Sequence, residues 1–229
     1  MKKILQSLSQ MLFPNLCVCC DGYLTHQDGC VCDFCYYTLP KFESYKVKDN
    51  PLAKKFWGRT NAEFVTAYLR LKSGGDVKKI LHQIKYRGNL DLGVEMGRAL
   101  GKCLTETTHF SDIDYTIPIP LHPKRENFRG YNQSDLLVDG ISEVMAIQPL
   151  KDVVIRKKYN NSQTKKKRYE RFINSQEIFR VIDPKRLEGK HVLLVDDVIT
   201  TGATIEACGE ALLEVDGLKL SIASLAVAT

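Results

Sequence analysis

The chain has 229 residues, 44% hydrophobic and 26% charged, the proportions of a soluble globular protein with room for one α/β core and a small appendage. No apolar run approaches the roughly 18 residues of a membrane-spanning helix, so the expectation is a cytoplasmic protein without membrane insertion. The net charge of +6 is concentrated: eight Lys or Arg and one acid, Glu170, fall between residues 156 and 171, while the remainder carries 25 basic against 26 acidic residues.

At the amino end, Ile4, Leu5, Leu8, Met11, Leu12 and Phe13 recur at helical spacing as far as Pro14, which reads as a short helix packed on the body. Lys2 and Lys3 imitate the basic start of a secretory signal. However, Gln6, Ser7, Ser9 and Gln10 interrupt the apolar run and no small-residue cleavage site follows. Cys17 and Cys20 then form one C-x-x-C pair, and Cys32 and Cys35 a second. In a reducing compartment, four thiolates at this spacing read as a tetrahedral zinc site, and a fold this small needs the metal as its core. Cys19 and Cys30 are alternative ligands by position. His26, in the loop between the pairs, reads as solvated. Cys103 and Cys208 fall on apolar helix faces and read as core.

Residues 41–58 are polar, with a turn at Asp49-Asn50-Pro51. A boundary near residue 50 divides an amino-terminal helix and zinc knuckle (1–50) from an α/β domain (51–229). The domain opens with a strand at 63–71, a turn at Gly74-Gly75, and amphipathic helices at 77–86 and 90–104. Between the helices, Lys85-Tyr86-Arg87-Gly88 reads as a helix C-terminus closed by glycine. A strand at 113–118 follows, ended by prolines, and then an electropositive loop with Lys124, Arg125 and Arg129. Such a loop after a parallel strand suits an anionic ligand at the carboxyl edge of a sheet. The next helix is expected at 134–144 and the last strand at 220–228.

The basic stretch interleaves Tyr159 and Tyr169 with its cations, among them Lys165, Lys166, Lys167, Arg168 and Arg171. Cations with interleaved aromatics suit the phosphates and bases of single-stranded nucleic acid. A plain solvated loop is the competing reading.

The chain is organised around residues 191–204. Residues 192–195 are an apolar, β-branched run, expected as a strand buried on both faces of a parallel sheet. The strand is expected to end in Asp196 and Asp197, whose charges belong at the sheet edge rather than in the core. Thr200, Thr201, Gly202, Ala203 and Thr204 precede a helix that places Ile205, Ala207, Cys208, Ala211, Leu212 and Val215 on one face. A helix N-terminus with threonine hydroxyls and a glycine suits a phosphate. Two carboxylates beside it suit a vicinal diol with Mg²⁺ nearby. A 5-phosphorylated ribose matches both halves.

Residues 192–204 resemble the signature of type I phosphoribosyltransferases, which bind phosphoribosyl pyrophosphate (PRPP). The resemblance implies that Asp196 and Asp197 hold the ribose hydroxyls and that 200–204 cradle the 5-phosphate. The two C-x-x-C pairs, Lys85-Tyr86-Arg87-Gly88, Pro118-Ile119-Pro120, Arg129-Gly130-Tyr131-Asn132-Gln133 and that signature occur in this order in ComF-type proteins, a family that includes competence proteins for uptake of single-stranded DNA. Gln163, Arg171, Asn174 and Phe179 match a further pattern of that family. The resemblance covers nearly the whole chain. It implies a mainly parallel phosphoribosyltransferase-like sheet flanked by helices, with an amino-terminal four-cysteine zinc knuckle. It also implies that the loop from Pro120 to Arg129 faces pyrophosphate, that a mobile loop closes near the basic stretch, and that a DNA-uptake helicase or translocase is a partner. Two functions follow. One is a PRPP- and single-strand-binding protein of natural transformation. The other is an active phosphoribosyltransferase of nucleotide metabolism with a nitrogen nucleophile. Purine transferases of this type commonly carry an acid where this chain has Thr200, and a neutral hydroxyl does not manage the proton of a base.

Overall fold

β-branched and leucine side chains on both faces make residues 191–199 a strand that only a covered sheet accommodates. In the computed structural model, which describes residues 15–24, 29–72, 75–156 and 178–228, this strand is the centre of a five-stranded parallel sheet. The strands are β1 (Val65–Leu71), β2 (Tyr115–Pro118), β3 (Gln148–Pro149), β6 (His191–Ile199) and β7 (Lys219–Ala228), in the order β1-β7-β6-β2-β3. A two-stranded antiparallel ribbon, β4 (Val154–Arg156) with β5 (Phe179–Val181), stands apart. The expected helix at 4–13, His26, Tyr159, Gln163, Lys165, Lys166, Lys167, Arg168, Tyr169, Arg171 and Asn174 lie outside the described residues.

Alternation along β6 divides the core in two. Leu193 and Val195 join one apolar cluster, and Val192 and Leu194 the other, all four fully buried. The first cluster holds helices α3 (Asp76–Tyr86), α4 (Leu90–Thr105) and α6 (Gln133–Met145). The second holds α2 (Pro51–Lys54) and α7 (Ala203–Leu213). Helices α4 and α6 meet backbone to backbone: a methyl group on Gly140 would lie 2.1 Å from the Val94 carbonyl oxygen, so this crossing tolerates no side chain.

Contrary to the expectation from sequence, strand β6 does not stop at the acidic pair. Pairing with β7 runs on through Asp196↔Ser224 to Ile199↔Val227. The ladder satisfies the backbone while both carboxylates line a cleft, so hydrogen bonding rather than side-chain polarity sets the strand's length. The expected loop after β2 is largely a short helix, α5 (Pro123–Arg129), with proline at its start, the His122 ring nitrogen accepting from the Lys124 N–H (3.2 Å), and Gly130 left-handed at its end. Its local caps outweigh the charge density that reads as loop.

The knuckle is built on the same body. Cys17, Cys19, Val31, Cys35 and Leu39 belong to the first core cluster. Past helix α1 (Asp33–Thr38), the chain lies along edge strand β1: Phe42 N–H donates to Tyr68 O (2.7 Å) and Arg70 N–H to Pro40 O (2.8 Å). Asn50, expected in a turn, is buried; its carbonyl oxygen caps α2 at Leu52 (2.9 Å) and Ala53 (3.0 Å), and its amide donates to Val65 O (2.8 Å). Among the described residues no helix is long and apolar enough to cross a membrane.

Candidate functional site

Parallel strands end their carboxyl edges together, and the point where chain order reverses opens a crevice there. Here β6 neighbours β7 on one side and β2 on the other. The crevice between the ends of β2 and β6 is a cleft of about 180 Å³, lined by Lys85, Pro120, Arg125, Arg129, Asn132, Ser134, Arg156, Asp196, Asp197 and Thr204 among others.

Two adjacent carboxylates form its floor, both half-buried. Asp196 Oδ1 accepts from the Asp197 N–H (2.8 Å) and the Ser134 hydroxyl (3.4 Å). Burial pushes the Asp196 carboxyl up to about 7, and the Asp197 charge adds to the rise, against the pull of the Asp197 N–H, Lys85 and Ser134. The pair therefore favours a positive charge. Lys85 Nζ lies 2.9 Å from Asp197 Oδ2.

The opposite wall is cationic. Arg129 donates to the Gln133 side-chain oxygen and its guanidinium lies 5.1 Å from the centre of the Tyr86 ring. Arg156 lies 5.3 Å from the Phe179 ring centre. Burial holds its guanidinium below its ordinary value, and the charge of Arg125 adds to this. Arg125 and Arg156 line the same cleft, and an anion there would offset their like charge. Lys124 is exposed and does not line the cleft, whereas Arg156, counted in the sequence with the nucleic-acid stretch, does.

Of the turn after β6, Thr204 lines the cleft, whereas Thr200, Thr201, Gly202 and Ala203 do not. Thr200, Thr201, Ala203 and Thr204 are exposed, and Gly202 is buried. Gly202 is left-handed (φ +84°), and a Cβ there would sit 3.0 Å from the Phe56 ring, so conformation and packing both demand glycine. Arg59 braces the turn from outside: its guanidinium donates to Thr201 O (3.3 Å) and to the Glu206 carboxylate (3.2 Å). Thr201 Oγ1 accepts from the Ala203 N–H (3.4 Å).

At the amino end, the four sulfurs of Cys17, Cys20, Cys32 and Cys35 lie within 4.8 Å of one another. Zn–S bonds of about 2.3 Å in a tetrahedron put sulfurs about 3.8 Å apart, and Cys20 Sγ to Cys32 Sγ is 3.8 Å. Burial alone raises the Cys17 thiol, but the N–H groups of Cys32, Cys20 and Cys19 outweigh it and bring it down to about 6. Cys19 and Cys30 stand outside this cluster. Lys79 donates to the Cys19 carbonyl, and Cys30 takes Asn89 (Sγ to Oδ1, 3.7 Å) and Glu95 (N–H to Oε2, 2.7 Å) as partners. Cys208 is fully buried in the core, and Cys103 packs half-buried against the first core cluster.

Sequence reasoning did not find Lys85, Arg59, Ser134 or the place of Arg156. Lys85 read as part of a helix cap and of a motif shared with ComF-type proteins, with no role assigned at the site, and its partner Asp197 lies far along the chain; for Arg59 and Ser134 no local pattern exists.

Residues 136–228 match the family model described as phosphoribosyl transferase domain. The chain is 32% identical over 151 residues to competence protein ComFC of Bacillus subtilis (strain 168), covering 65% of this chain and 58% of that protein. It is 31% identical over 140 residues to DNA utilization protein YhgH of Shigella flexneri, covering 58% and 60%, and 34% identical over 111 residues to competence protein F of Haemophilus influenzae, covering 48% of each. The chain is a relative of the ComF-type proteins. It spans about three fifths of the length of the first two relatives. Among solved structures it is similar to the glutamine PRPP amidotransferase of B. subtilis complexed with ADP and GMP (18% identity, TM-score 0.42, 62% of this chain and 30% of that one). It is also similar to an adenine phosphoribosyltransferase (17%, TM-score 0.36, 65% and 75%).

Proposed function

We propose that this ComF-type chain binds PRPP with Mg²⁺ in the β2–β6 cleft and acts in DNA uptake by natural transformation, with a cytoplasmic helicase or translocase as partner. The observation that carries the binding is the juxtaposition, in one cleft, of the Asp196–Asp197 pair with Arg125, Arg129 and Arg156. Asp196 and Asp197 take the ribose hydroxyls. The turn from Thr200 to Thr204 takes the 5-phosphate with its hydroxyls and N–H groups. The arginines take pyrophosphate, for which guanidinium forks are suited. Bound Mg²⁺ offsets the charge of the pyrophosphate, and the acidic pair is the group of this chain that favours it. Transfer to a free purine is not part of this reading, since Thr200 supplies no general base.

Asp197→Asn and Thr201→Val each remove a hydrogen bond to the ligand and are expected to weaken binding by about 1.5–3 kcal/mol and 0.5–1.5 kcal/mol respectively without loss of fold. Calorimetry with Mg·PRPP measures this, and unchanged affinity in both variants excludes the site. Pyrophosphate release with adenine, guanine or hypoxanthine is expected to be negligible; steady turnover would make the chain a salvage transferase.

The knuckle holds one structural zinc on Cys17, Cys20, Cys32 and Cys35, supported by the clustering of their sulfurs. Metal analysis of protein purified without added metal is expected to give one equivalent per chain, and Cys32→Ser less than about half. Wild-type protein below half an equivalent, with no further loss in the variant, contradicts the zinc reading.

Single-stranded DNA binds along the basic stretch, supported by its eight cations and interleaved tyrosines. Replacing Lys165, Lys166 and Lys167 by Ala is expected to reduce the slope of log K against log salt by about two units, at roughly 0.7 per phosphate contact. An unchanged slope moves the strand to another surface.

A further inference from the structure

Lys85 differs from the arginines of the cleft in being seated on the acidic floor rather than on the opposite wall. Its ammonium and the Asp197 carboxylate are 2.9 Å apart, with side chains only 22% and 17% exposed, so the pair is largely withdrawn from water. The end of α3 that presents it is fixed on three sides. The Tyr131 hydroxyl donates to Ile84 O, Arg87 N–H closes on Gln83 O (3.1 Å), and the Arg129 guanidinium lies over Tyr86. Gly88, left-handed at φ +68°, turns the chain away immediately after. This much bracing aims one lysine at one carboxylate.

A plain structural ion pair at this place would compete with any cation the acidic pair receives. The groups facing Lys85 in the cleft suggest a use for that competition. Asp196 and Asp197 lie on its near side, and Arg125, Arg129 and Arg156 line the same small space. We propose, resting on the PRPP reading above, that Lys85 is a positioning residue with two partners. In the free protein it is the counter-ion of Asp197. When a divalent cation arrives with the ligand, the ammonium yields the carboxylate and pairs with the ligand's pyrophosphate oxygens. The site then selects the metal–diphosphate complex over either component. The metal alone must displace an ammonium that has no anion to receive it, and the diphosphate alone leaves the carboxylates without a cation.

Opposite effects of one substitution test this. Lys85→Met is expected to bind Mn²⁺ alone, followed by electron paramagnetic resonance, about tenfold more tightly than wild type, because a competing charge is gone. The same variant is expected to bind Mg·PRPP, followed by calorimetry, about ten- to a hundredfold more weakly, because a charge-assisted contact is lost. Lys85→Arg keeps the charge and should restore the wild-type order of both affinities. Thermal melting confirms that the variants fold, and Lys85→Gln replaces Lys85→Met if the latter does not. Two affinities that fall together, two that stay unchanged, or tighter Mn²⁺ binding with unchanged PRPP binding overturn the proposal. If wild-type protein binds no PRPP, the functional reading fails on its own, and the Mn²⁺ measurement still decides whether Lys85 is the counter-ion.

Discussion

Two adjacent carboxylates at the mouth of a fully buried strand set the terms for the rest of the molecule. β6 is apolar on both faces up to Val195, so the sheet delivers Asp196 and Asp197 to one point with little freedom. Burial and mutual repulsion make the pair costly. Each neighbouring element relieves part of that cost: the Asp197 N–H and Ser134 by hydrogen bonds, Lys85 by charge. The arginines across the cleft have the converse need for an anion. A ligand that brings a cation and phosphates together satisfies both walls at once, whereas a simple anion or a simple cation satisfies one.

The parts of the fold with local causes were legible in the sequence. Helices at 77–86 and 90–104 are found as Asp76–Tyr86 and Leu90–Thr105, because apolar spacing and glycine or asparagine caps agree there. The strand, turn and helix of 192–213 were legible for the same reason. Where two local signals compete, the reading failed. Lys124, Arg125 and Arg129 suggested a loop, but Pro123 and His122 start a helix and Gly130 ends it. The site was half legible. Its acidic pair and threonine-glycine turn are contiguous in sequence, but Lys85, Arg59 and Arg156 come from distant segments that only the fold brings together. Arg156 shows the limit well: composition groups it with the lysines that follow, while pairing of β4 with β5 sets it over Phe179 and into the cleft.

The knuckle adds a second constraint. The sulfurs of Cys17, Cys20, Cys32 and Cys35 lie within 4.8 Å of one another, a donor set that could hold a metal ion such as zinc. Cys19 and Cys30, which spacing left open as ligands, instead tie the knuckle to α3 and α4 through Lys79, Asn89 and Glu95. Those same helices present Lys85 and back α6, which carries Ser134 to the cleft. The knuckle is thus packed on the same helices that carry Lys85 and Ser134 to the acidic side of the cleft.

The central claim is that one cleft receives both ends of a phosphorylated ribose. It is tested most directly by ³¹P nuclear magnetic resonance of PRPP with Mg²⁺ as wild-type protein is added. The 5-phosphate and both pyrophosphate resonances should broaden or shift together, and Arg156→Gln should diminish the effect on the pyrophosphate signals while sparing the 5-phosphate. Resonances that stay sharp, or perturbation that Arg156→Gln removes from the 5-phosphate alone, would contradict the account.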